Sequence, residues 1–208
     1  MVVRLLWIPV GAGGHVVRHT SRWWERLTAA RGHRAARPLV HGVLEVVLDG
    51  STWILEMAPA WGGPRAVDRG VVRTGPVGLA LLGRSRWFRY EVRRWRDGVL
   101  PDRRWAVGDP VVVSRDDATA RALLRHLEEV PALTWGRAVG ATGDMWNSNS
   151  LVSWLLAVSG VPTAELRPPG GARAPGWDAG LAVADRSARL PRRTARATTA
   201  DDITQAGR

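Results

Sequence analysis

One serine in this chain sits where a helix start would sharpen its chemistry. The run Trp146-Asn147-Ser148-Asn149-Ser150 precedes an apolar stretch, residues 151–158, that Gly160 and Pro162 stop. Asn and Ser are favoured at helix starts, so Ser148 is expected in the first turn of a helix. There, unpaired backbone N–H groups and the helix dipole stabilise negative charge, and the same donors can form an oxyanion hole. A serine hydroxyl is hard to ionise and needs a base already placed to take its proton. The candidate base is His41, which opens the β-rich run 41–48, HGVLEVVL. The plainer reading stands beside this one. Capping alone, at about 1 kcal/mol, accounts for all four polar residues at 147–150, and His41 reads equally as a partly buried structural histidine.

The elements that must position these groups begin with a hairpin. Residues 41–48 and 52–57 (TWILEM) flank Asp49-Gly50, a pair that suits the positive φ angles of a tight primed turn. A two-residue loop makes Leu48 face Ser51, His41 face Ala58 and Val43 face Glu56. Glu56 then lies diagonally from His41 on one sheet face and is the candidate orienter of its second ring nitrogen. A three-residue loop would put Glu56 on the other face. Glu45 shares the face of His41 but lies four residues along, roughly 13 Å away.

Other constellations are weaker. His15 and His19, four apart, lack a convincing third metal ligand, so no metal site is expected. Asp116-Asp117 reads as the acidic start of a helix over 116–129. Gly11, Gly13 and Gly14 lack the dinucleotide-binding spacing, and no cofactor is expected. With no cysteine, disulfides, thiolate metal sites and thiol nucleophiles are excluded together. Twelve tryptophans are spread over every element, which suits packing better than a single stacking platform.

Residues 2–10 read as a buried first strand and 87–95 as another; 15–19 fit a short strand, and 23–31 fit either a helix or a continued strand. Strands precede helices without alternation, so the expected fold class is α+β: an antiparallel β-sheet packed against the helix that carries Ser148. Residues 167–176 (RPPGGARAPG) suit neither helix nor inner strand. Two units are expected: a domain over 1–177, with Trp177 its last anchor, and an Arg/Ala/Thr-rich flexible tail over 178–208.

Charge gives a warning and little more. The formal net charge is +11 and the pI about 11.6. All 30 basic residues are Arg, beside abundant Ala, Gly, Val and Pro, as GC-rich coding produces by codon bias. The arginines scatter, apart from clusters at 84–96 and 186–196, and nucleic acid is not the expected partner. No apolar run approaches the ~20 residues of a membrane span, and the cytoplasm is the expected location.

The two candidate segments together resemble a known class. A histidine opening a strand, His41-Gly42-Val43-Leu44-Glu45-Val46 before a hairpin, resembles the permuted papain-like proteins. These include the lecithin-retinol-acyltransferase-like branch of the NlpC/P60 superfamily and the PPPDE peptidases. In both, a cysteine follows later at a helix N-terminus, often as Asn-Cys-Asn; here Asn147-Ser148-Asn149 is similar, with serine in its place. The resemblance implies a hydrolase or acyltransferase acting on an amide or ester, with Ser148 as nucleophile and His41 as base. The departure at the nucleophile leaves the alternative of an inactive papain-like domain that binds a peptide, a lipid or a protein.

Overall fold

In the computed structural model of this chain, residues 1–12, 23, 25–60, 70–100 and 102–189 are described. Six strands form one antiparallel sheet in the order β4-β5-β3-β2-β1-β6: β1 (Val2–Pro9), β2 (Val40–Leu48), β3 (Ser51–Pro59), β4 (Val71–Pro76), β5 (Arg89–Arg96) and β6 (Val111–Ser114). Among the described residues, four α-helical segments accompany it: α1 (residues 25–31), α2 (Asp117–His126), α3 (Ser148–Val158) and α4 (Trp177–Arg189). The fold class is α+β, as the element order requires.

The β2–β3 hairpin has the register read from its turn, Leu48 opposite Ser51 and Leu44 opposite Leu55. Asp49 and Gly50 take φ of 49° and 75°, so both central residues lie in the left-handed region that a primed turn demands. The expected pairing of His41 with Ala58 does not form. The two strands part beyond Leu44 and Leu55, and Ala58 pairs with Glu91 of β5 instead.

Period-two alternation then divides the sheet into two faces. Val3, Leu5 and Trp7 of β1, Leu44 and Val46 of β2, and Leu55 and Met57 of β3 point to one face. There they pack with α2, α3 and α4 in the main core. Leu6, Ile8, Val43, Ile54 and Leu100 form a smaller core on the other. β1 is apolar on both sides because both are covered.

α2 starts where its acidic pair indicates. Asp116 caps it by accepting the Thr119 N–H at 2.7 Å, and Ala120 and Leu123 face the core. The helix is shorter than 116–129, because residues 127–129 tighten into a 3-10 turn. The short strand expected over 15–19 lies outside the described residues, whereas residues 25–31 are helical.

The expected boundary at 177/178 is corrected. Residues 177–189 form α4, which buries Trp177, Ala179, Gly180, Val183 and Ala184. Small residues draw it close against α3: a Cβ at Gly180 would stand 2.1 Å from Ser153 Oγ and 2.2 Å from the Ser150 carbonyl. Trp177 tilts against Trp7 with ring centroids 5.2 Å apart. The composition that suggests a tail is that of a helix whose buried face is alanine and glycine. The body of the fold therefore runs through Arg189; the remainder of the expected tail, 190–208, lies outside the described residues.

Candidate functional site

Asn147 is the N-cap of α3, and Ser148 is its first residue. The Asn147 Oδ1 accepts the N–H groups of Asn149 (2.9 Å) and Ser150 (3.3 Å), while Ser150 Oγ accepts the Asn147 N–H at 3.0 Å. This closes a reciprocal capping box. It also occupies two of the backbone donors at the helix start, those of Asn149 and Ser150.

The cap is stitched into its surroundings. Asn147 Nδ2 donates to the Pro175 carbonyl at 2.8 Å, Ser150 Oγ lies 2.7 Å from the Gly176 carbonyl, and Ser153 Oγ donates to the Trp177 carbonyl at 2.7 Å. Gly176 has φ of 93°, and a Cβ there would stand 2.1 Å from Asn147 Oδ1. Its N–H donates to Asp144 Oδ2 at 2.7 Å. Burial, reinforced by Asp178, pushes the Asp144 carboxyl above its usual value, against the N–H bonds from Gly176 and Met145.

Asn149 does the work that sequence reading did not assign. Its Oδ1 accepts the Gly42 N–H at 2.7 Å, and its Nδ2 donates to the carbonyls of Val40 (3.0 Å) and Pro175 (2.8 Å). The side chain therefore replaces a strand partner for β2, where β3 has turned away. The signal was present in the sequence: Asn is poorly suited to a helix unless its amide has a task.

His41 lies between the two residues that Asn149 grips. It pairs with Ile8 and shares that residue's face, opposite the face on which α3 packs. Gly42 faces α3: a Cβ there would meet Val152 at 3.4 Å. Burial pushes the His41 imidazole down to about 4. Among the described residues, neither the His41 ring nor the Ser148 hydroxyl has a side-chain hydrogen-bond partner, and the two are not bonded to each other.

Glu56 occupies the sheet face expected for it, yet it does not orient His41. Its Oε1 accepts from Arg93 Nη1 at 2.9 Å, and Arg93 Nε reaches Glu91 Oε2 at 3.1 Å. Arg93 stands directly opposite Glu56 in the β3–β5 ladder, closer than a diagonal neighbour on β2. Sequence reading of the single hairpin could not see β5 as the third strand. Glu45, four residues from His41, is held by Arg4 at 2.7 Å and by Arg103. Burial alone would raise the Glu45 carboxyl, but the bonds and charges of these two arginines hold it below its usual value.

A cleft of about 400 Å³ opens beside Glu45 on this face. Ile54, Val99 and Leu100 give it apolar walls, and Glu45, Asp97 and Arg103 give it charge. His15 and His19 lie outside the described residues; among the described residues, no three His, Asp or Glu side chains cluster as metal ligands. Likewise, no helix among them is long and apolar enough to cross a membrane.

No protein-family model matches the chain, and neither a curated protein nor a solved structure matches it.

Proposed function

We propose that this chain is a non-catalytic α+β domain related to the permuted papain-like class, used to bind a peptide, a protein or a lipid. The observation that carries this reading is the double acceptance by Asn147 Oδ1. It commits the second and third N–H groups of α3 to the cap, so a tetrahedral intermediate on Ser148 would lack those donors. The engagement of Glu56 by Arg93 adds to it, since His41 is left without a carboxylate to fix its tautomer. The cleft beside Glu45 offers a ligand both apolar wall and charge. An activated ester such as p-nitrophenyl acetate should be hydrolysed no faster by the wild type than by Ser148→Ala; a Ser148-dependent turnover overturns the reading.

A second reading, an acyl-serine hydrolase or acyltransferase with His41 as base, draws on one observation. Ser148 and His41 adjoin the same bridge, at Asn149 and β2, and both keep their polar atoms unpartnered by other side chains. Catalysis would require the imidazole, on the sheet face opposite α3, to reach the hydroxyl, and covalent labelling of Ser148 separates the two readings.

A further inference from the structure

Between β4 and β5 the chain makes two consecutive 3-10 turns, residues 80–84 and 86–88, and neither buries a single residue. Their side chains include Leu81, which is 80% exposed, and Trp87, which is 60% exposed; Leu79, Leu82 and Phe88 are exposed beside them. Five large apolar side chains in ten residues form a patch of the kind that marks a docking surface.

The segment is held firmly. Val77 and Gly78 donate to the carbonyls of Phe88 (2.8 Å) and Trp135 (2.9 Å). Arg89 donates to the carbonyls of Gly83 and Arg84, each at 3.0 Å, and Arg137 Nε donates to the Gly78 carbonyl at 2.7 Å. The apolar side chains are thus presented on a fixed frame.

Charge decides what the frame fits. Residues 70–90 contain no carboxylate, and they carry Arg73, Arg84, Arg86 and Arg89. The Arg86 guanidinium lies 5.0 Å from the Trp87 ring centroid, so cation and indole are offered together. Leucines do not stack on bases, which argues against a single-stranded nucleic acid. Exposed leucine, tryptophan and phenylalanine interspersed with Arg84 and Arg86 match the boundary between acyl chains and anionic headgroups.

We propose that the exposed turns at residues 79–88 dock this domain on an anionic lipid bilayer, with Leu81 and Trp87 entering the acyl boundary and Arg84 and Arg86 meeting lipid phosphates. The inference is independent of whether Ser148 is catalytic.

The chain has no cysteine, so a single introduced thiol labels one place. Leu81→Cys and Val112→Cys, the second 43% exposed on β6 at the sheet edge opposite β4 and outside the cleft, would each carry an environment-sensitive fluorophore. Phosphatidylcholine vesicles containing phosphatidylglycerol should shift the emission at position 81 to the blue and leave position 112 unchanged. Pure phosphatidylcholine should shift neither. In co-sedimentation with the mixed vesicles, the unlabelled double variant Leu81→Ser/Trp87→Ser should bind about tenfold more weakly or worse. Equal shifts at both positions, or undiminished binding of the double variant, would mean adsorption through net charge alone and overturn the proposal. So would a blue shift at position 81 that grows with protein concentration without vesicles, which would mean self-association.

Discussion

The side-chain amide of Asn149 grips the β2 backbone at Gly42, accepting its N–H at 2.7 Å from 107 residues away in sequence. The same amide donates to the Val40 carbonyl and so brackets His41. A strand that has lost β3 beyond Leu44 is completed by this side chain and, at Val40, by the backbone of Arg173, and the side chain belongs to the helix start where a nucleophile is expected.

The first expectation concerns the unequal weight of adjacent residues. Asn149→Ala leaves the Gly42 N–H and the Val40 carbonyl without their partner, while the Pro175 carbonyl keeps Asn147, and should cost about 2 kcal/mol or more. Ser148→Ala removes a hydroxyl that bonds no side chain and should cost under about 0.5 kcal/mol. Urea unfolding of the two variants measures both, and equal costs would contradict the bridge.

Arg93 is buried between the carboxylates of Glu56 and Glu91. Arg93→Met removes the cation they share and should destabilise by about 3–5 kcal/mol. Arg121→Met, at an exposed arginine paired with Asp117 and Asp49, should cost under about 1 kcal/mol. The pair of unfolding midpoints tests the contrast.

His41 sets a pH dependence. Its imidazole, pushed by burial from 6.5 down to about 4, stays neutral in the folded chain while the unfolded chain takes up a proton. Its contribution to stability is therefore complete above about pH 6.5 and is lost as pH falls toward 4, by at most about 3 kcal/mol. His41→Phe lacks this loss. Wild-type stability should fall relative to that of His41→Phe as pH drops over that range, and parallel curves would contradict it.

α4 is held by close approach. Gly180→Ala places a methyl against Ser153 Oγ and the Ser150 carbonyl, so α4 must shift, at about 1–3 kcal/mol. Thermal unfolding measures the loss. An unchanged midpoint would mean that α4 packs more loosely than described.

What the sequence made legible was local. Asp49-Gly50 specified the hairpin and its register, Asp116 specified the start of α2, and the polar run at 147–150 specified the start of α3. What it hid was determined by partners far along the chain. Glu56 belonged to Arg93 because β5 pairs with β3, and no short-range pattern in β2 and β3 reports the third strand. α4 was hidden by its own composition, since a helix that packs through Ala179, Gly180 and Ala184 lacks the leucine stripe by which buried helices are recognised. The short strands β4 and β6 escaped for a similar reason: six and four residues, on the two edges of the sheet, carry too little alternation to stand out.

The central proposal is that Ser148 is the first residue of a helix capped by Asn147 and Ser150 and is not a nucleophile. Incubation of the full chain with a serine-directed fluorophosphonate, followed by intact-mass measurement, tests it most directly. The expected result is no adduct that distinguishes the wild type from Ser148→Ala. A single adduct that maps to Ser148, is absent from Ser148→Ala and forms more slowly in His41→Gln would contradict the account and establish acyl-serine chemistry.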